Sequence, residues 1–212
     1  MMCMGNARLD DVIREKISKR ELIKEFGQLY SEKLGINLRS GRSEEVFKWF
    51  LASVLLGAPI RESSAMKTYT VLSSAGIISP EAILKAGWDT LVFHLDNGGY
   101  TRYDFKTADK LLEMARNLNE KWAGDLNRIH MVSKNQSELE SNIKALAKGI
   151  GETTLNIFLR EMYGIWNVKP KHSKFALLAA KHFGVKLSKK FNPRLEIALM
   201  KIGRELLRKT KS

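Results

Sequence analysis

A chain of 212 residues and 24.1 kDa can bury a proper core, in one compact domain or in two small lobes sharing an interface. Hydrophobic residues at 44% and charged ones at 28% describe a soluble globular protein, and no apolar run approaches the roughly 18 residues that a membrane helix needs. The formal charge of +13 sits mostly in residues 169–212, which hold ten Lys and three Arg against two Glu; so local a positive surface suits a phosphate backbone, an anionic membrane surface or an acidic protein, or is a plain solvated lysine face.

The N-terminal stretch MMCMGNARLDDVIREK carries no apolar core of signal-peptide length, which predicts an intracellular protein of the cytoplasm or nucleoid. Cys3 is the single cysteine, so the chain can form no internal disulfide, no cysteine-ligated zinc site and no four-cysteine iron–sulfur cluster. Beyond this point the apolar spacing is helical nearly everywhere. Val46, Phe47, Phe50, Leu51, Val54 and Leu55 mark a buried helix behind Ser43 as N-cap. Met66, Tyr69 and Leu72 continue the pattern to Gly76, and Ser79-Pro80-Glu81 supplies an N-cap, a first-turn proline and a first-turn acid for a short helix. Ala108, Leu111, Leu112, Ala115 and Leu118 mark a longer one closing near Gly124. Phe175, Leu178, Ala179 and Phe183 lead to Gly184, and Asn192-Pro193 opens a last helix with Leu195, Leu199, Ile202 and Leu206 on one face. No segment alternates with period two and no repeat is detectable, so the predicted fold class is all-α, with about ten helices on short connections.

One turn stands apart. Ser137 and Glu140 are spaced as a capping box, Leu139, Ile143 and Leu146 share a face, and the helix they imply runs into Lys148-Gly149-Ile150-Gly151. Leu155, Phe158, Leu159 and Met162 then mark a second helix ending at Gly164. Two glycines around one apolar residue allow dihedrals in which successive N–H groups point outward at the positive end of a helix, a seat for a phosphate oxygen, with Ile150 folded inward. The plainer reading is a glycine-rich break between two helices.

The segment KGIGETTLNIFL, at 148–159, resembles the helix-hairpin-helix of the DNA glycosylase superfamily that includes endonuclease III. VFKWFLASVLLGAPI, at 46–60, is similar to an early helix of that superfamily, and DNGGYTRYDFKTADKLLEMARNL, at 96–118, to its Gly-x-Tyr/Phe-x-x-Lys-Ala element. The resemblance covers residues 43–183 and implies two helical lobes with a DNA-binding cleft between them: residues 43–168, carrying the helix-hairpin-helix at about 137–163, and residues 1–42 with 169–212. It further implies base-excision repair by cleavage of the N-glycosidic bond of a damaged base, double-stranded DNA as partner and no cofactor, with room for a structural potassium or sodium ion, a monovalent cation held by hairpin carbonyls near 146–151. The DNA-contacting residues it implies are Lys148, Gly149, Ile150, Gly151, Thr153 and Thr154 in the hairpin, and Lys169, Lys171, His172 and Lys174 in the segment after it.

Two positions depart from the family pattern. Thr153 stands where bifunctional members carry an imine-forming lysine, which argues against a hairpin-lysine lyase. Val168-Lys169-Pro170-Lys171-His172 replaces the Val-Asp-x-His segment, and no Asp or Glu occurs from Met162 to Leu195, so the catalytic groups stay unassigned. Asp96, Asp104 and Glu152 are acids available elsewhere, Glu152 fitting a helix-dipole role. The four scattered histidines His94, His130, His172 and His182 have no ligand spacing, so no metal site is predicted. Among aromatic residues that can stack on bases, Trp166 is the exposed candidate, Trp49 and Trp122 read as core, and Tyr100, Arg102 and Tyr103 read as loop-to-helix packing. Three functions follow: a glycosylase with rearranged catalytic groups, a catalytically inactive reader of DNA structure, or a scaffold whose basic end binds an acidic protein.

Overall fold

The structure is a computed structural model describing residues 18–188 and 190–209; Cys3 and the rest of the N-terminal stretch lie outside the described residues. In chain order its helices are α1 (Lys19–Phe26), α2 (Tyr30–Lys33), α3 (Ser43–Leu56), α4 (Glu62–Ser74), α5 (Pro80–Gly98), α6 (Asp104–Trp122), α7 (Leu126–Val132), α8 (Gln136–Lys144), α9 (Glu152–Met162), α10 (Lys174–His182) and α11 (Pro193–Lys209), with a short 3-10 turn at Leu38–Ser40. Among the described residues there is no strand, only an isolated bridge between Tyr163 and Trp166, so the protein is all-α as its apolar spacing predicts. No helix among them is long and apolar enough to cross a membrane. The chain divides into two units, residues 34–168 and residues 1–33 with 169–212.

The larger unit is built around α3. Val46, Phe47, Trp49, Phe50, Leu51 and Leu55 are all within 2% of complete burial, so this helix is apolar on every side and passes through the core. Phe50 meets Phe158 of α9 edge to face at 5.0 Å, and the Trp49 indole N–H donates to the Phe158 carbonyl at 3.1 Å. Where α3 ends, a Cβ on Gly57 would overlap Thr154, so the missing side chain lets α9 approach. Ser43 is the first helical residue rather than the cap; Arg42 holds the cap position without a side-chain hydrogen bond. Ser79 does cap α5, its Oγ accepting from the Ala82 amide at 3.1 Å. That helix is longer than its sequence signal and breaks at Gly87, whose φ of 72° and ψ of 176° are not helical. Helix α6 closes one residue before the expected glycine, because Ala123 takes the left-handed cap at φ 50°.

In the smaller unit, Leu22 of α1, Ala176 and Ala179 of α10, and Ala198, Leu199 and Ile202 of α11 form one buried cluster. The alanines and Gly203 permit a close crossing; a Cβ on Gly203 would overlap the Phe175 backbone. Asn192 caps α11 through its Oδ1, which accepts from the Arg194 and Leu195 amides at 3.0 and 3.1 Å. Removing a Leu199 side chain of this kind costs about 2–5 kcal/mol.

Candidate functional site

The turn before α9 is longer than its glycines suggest, running over residues 145–151. The Ser137–Glu140 capping box is not formed. Asn135 caps α8 instead, its Oδ1 accepting from the Glu138 amide at 2.9 Å, while the Glu138 carboxylate takes the Lys134 amide at 2.8 Å. Gly149 sits at φ 89°, a conformation that a side chain resists, whereas Gly151 is extended at φ −118° and ψ −168° and caps α9 with no side chain and no atom near its missing Cβ. Ile150 is folded inward, 4% exposed.

The outward-facing amides are fewer than the sequence implies. The Ile150 N–H closes the turn onto the Ala147 carbonyl at 3.1 Å, and the Lys148 N–H donates to the Glu113 carboxylate of α6 at 3.0 Å. The amides of Gly149 and Gly151 have no partner among the described residues, and the first turn of α9 leaves that of Thr153 outside the helical ladder. Thr153 is exposed, but Thr154 is 4% exposed and packed against Gly57, so its side chain is unavailable to a ligand. Glu152 pairs with Lys144 across the turn. The carbonyls of Leu146, Ala147 and Gly151 accept from Asn117 Nδ2, Ile150 N–H and Leu155 N–H, each keeping a second lone pair.

Beside this turn lies an open cavity of about 450 Å³, lined by Lys106, Asp109, Lys110 and Glu113 of α6 and by Lys148 and Gly149. Helical spacing explains the set: 106, 109, 110 and 113 fall on one face of α6, and its other face holds the buried Ala108, Leu111 and Ala115. Lys110 is half-buried and makes no ion pair among the described residues, and burial pushes its ammonium below the ordinary lysine range. It fits because residue 149 has no side chain: a Cβ there would stand 3.1 Å from Lys110 Cε. Asp109 Oδ1 accepts the indole N–H of Trp88 at 2.9 Å. Trp88 and Phe105, whose rings lie 5.1 Å apart, remain 38% and 57% exposed.

The second set of expected contacts belongs to the smaller unit. Lys169, Lys171 and Lys174 are exposed, and His172 is half-buried. His172 Nδ1 lies 2.7 Å from Glu196 Oε2, and Glu196 Oε1 accepts the Ser173 amide at 2.7 Å. Glu196 is 2% exposed. Residues 162–195 hold no Asp or Glu; Glu196 is the next residue, and α11, packed on α10, turns this first-turn acid onto the segment before α10. The signal was the pattern itself: Glu196 is a lone acid in the first turn after Asn192-Pro193, in a stretch otherwise rich in Lys.

Trp166 is not the exposed aromatic of the sequence reading. It is 5% exposed, donates to Asn127 Oδ1 at 2.8 Å and stacks on His130 at 4.8 Å. Burial holds the His130 imidazole below its ordinary range. Tyr100 is buried and its hydroxyl donates to the Leu55 carbonyl, as the packing reading expects. No group of three or more His, Cys, Asp or Glu is placed to hold a metal ion among the described residues. No family model, curated protein or solved structure matches the chain.

Proposed function

We propose that this protein binds DNA through the glycine turn before α9, as a relative in kind of the helix-hairpin-helix DNA glycosylases. One observation carries the reading: the glycine turn has two unpartnered amides, at Gly149 and Gly151, and Gly149 adjoins a cavity lined by three lysines against the two acids Asp109 and Glu113, where half-buried Lys110 makes no ion pair among the described residues. A folded protein leaves a cation in such a place at a cost, and a phosphate oxygen is the ligand that removes that cost while also accepting from the amides. The monovalent cation of the same reading would be held by the carbonyls of Leu146, Ala147 and Gly151. Exposed Lys169, Lys171 and Lys174 add further phosphate contacts of the kind that fix register and carry no sequence information.

A second reading, cleavage of the N-glycosidic bond of a damaged base, is favoured by Glu196. Glu196, carried on α11, holds its buried carboxylate against His172 and Ser173, beside the segment where the resemblance puts the catalytic acid. A carboxylate there would stabilise positive charge on the sugar as the base departs.

Binding to a fluorescent duplex at low salt tests the first reading. The expected affinity falls steeply with added salt, by a log–log slope of about 0.9 for each phosphate neutralised. A duplex that is not bound, or is bound without salt dependence, overturns it. Alkali-dependent cleavage of a duplex carrying a damaged base, lost in Glu196→Gln, tests the second.

A further inference from the structure

One residue of the cavity beside the glycine turn, Asp109, also holds one ring of an exposed aromatic pair. Phe105 precedes Lys106 in α6, and Asp109 both lines the cavity and holds the Trp88 indole N–H at 2.9 Å. Trp88, on α5, therefore reaches the cavity's rim through Asp109, and Phe105 stands one turn before Asp109 on α6. Two exposed aromatic rings 5.1 Å apart, one fixed by a hydrogen bond, are an unusual surface unless something flat covers them. Fixing Trp88 costs the ring its freedom before any ligand arrives, so a base that stacks there meets a surface already in place.

We propose that Trp88, Phe105 and the lysine-lined cavity together form a seat for an unpaired nucleotide, the base on the rings and its phosphate at Lys110 and Lys148. The inference rests on the DNA-binding reading and deepens it: the preferred ligand is a strand with at least one unstacked base, not an intact duplex. Charge selects the class of ligand. Aromatic surface beside cations suits a single strand, whose bases offer π-faces and whose backbone offers anions, and stacking on such rings tolerates any base. In an intact duplex the base faces are covered by their neighbours, so only the lysines and turn amides make contact.

The test uses the full chain and three fluorescein-labelled probes of equal length: a single-stranded oligothymidylate, a fully paired duplex, and a duplex with a central three-base bulge, read by anisotropy at low salt. The single strand and the bulged duplex are expected to bind about tenfold more tightly than the paired duplex. Phe105→Ala and Trp88→Ala are expected to remove that preference and leave paired-duplex affinity within about twofold, while Lys110→Glu weakens all three probes. Quenching of tryptophan emission by oligothymidylate, absent in Trp88→Phe, reports the stacking directly. If Phe105→Ala, with an unchanged melting temperature, keeps the preference for unpaired probes, or if no preference exists, the seat is wrong and the DNA-binding reading stands. If no probe binds at low salt, the DNA-binding reading is the one that fails.

Discussion

The two units use their cations in opposite ways. The smaller one carries twenty Lys and Arg against eight Asp and Glu, and the larger sixteen against fifteen. In the smaller unit many of these side chains hold the protein to itself. Arg194 pairs with Glu32, Lys201 donates to the Phe26 carbonyl at 3.0 Å and lies over the Tyr30 ring, Lys19 donates to the Lys186 carbonyl at 2.6 Å, and Arg204 covers Phe175. In the larger unit Lys106, Lys110 and Lys148 surround open space with Asp109 and Glu113, and Lys110 makes no ion pair among the described residues. Part of the smaller unit's excess charge therefore fastens its helices, whereas the near-neutral unit arranges three of its cations around an open cavity.

Exchanging the two sets of charges tests that contrast most severely. The double variant Lys110→Glu, Lys148→Glu is expected to lose about a hundredfold in duplex affinity at low salt with its melting temperature kept, since two contacts are removed and two repulsions added. Arg194→Ala with Lys201→Ala is expected to do the reverse, costing about 1–2 kcal/mol in denaturant unfolding and little affinity. A melting temperature lost in the first pair, or an affinity lost in the second, would erase the distinction. At the turn, Gly151→Leu is expected to lower duplex affinity about tenfold without loss of stability, because its Cβ meets no protein atom and would occupy the ligand's place. Gly149→Ala, by contrast, is expected to cost about 1 kcal/mol through its left-handed backbone.

A smaller effect sharpens the picture from the side of the acids. Burial alone would raise the pKa of Glu45, but the Lys48 hydrogen bond, the Asn37 amide and the charges of Lys48 and Arg42 outweigh it and hold the carboxyl below its ordinary range. The unfolded carboxylate is therefore the better proton acceptor. The stability this group contributes is fully present above about pH 4.5 and is lost as pH falls through the lower folded value. Acid titration of unfolding is expected to show this loss, and Glu45→Gln to reduce it.

Fold class was legible because burial writes a 3.6-residue period, and α3, α6 and α11 announce themselves by it. Helix ends were less so. Asn135 outcompeted Ser137 for the α8 cap, and the break at Gly87 inside α5 left no trace in the apolar spacing. The glycine turn could be located from Lys148-Gly149-Ile150-Gly151, but not which amides remain open, since the Lys148 amide goes to Glu113, 35 residues earlier. Exposure of single tryptophans was beyond the pattern as well: Trp166 follows a glycine yet is buried by Asn127 and His130, while Trp88 stands on the surface. Such outcomes depend on which helices cross, and the period of one helix does not contain them.

The break at Gly87 comes one residue before Trp88, so the direction in which that indole leaves α5 is set by the main chain. The handedness of residue 87 therefore becomes a control over the aromatic surface. A D-alanine placed there by chemical ligation should leave the bend undisturbed, whereas the L-enantiomer should strain it, and the emission of Trp88 would tell the mirror forms apart.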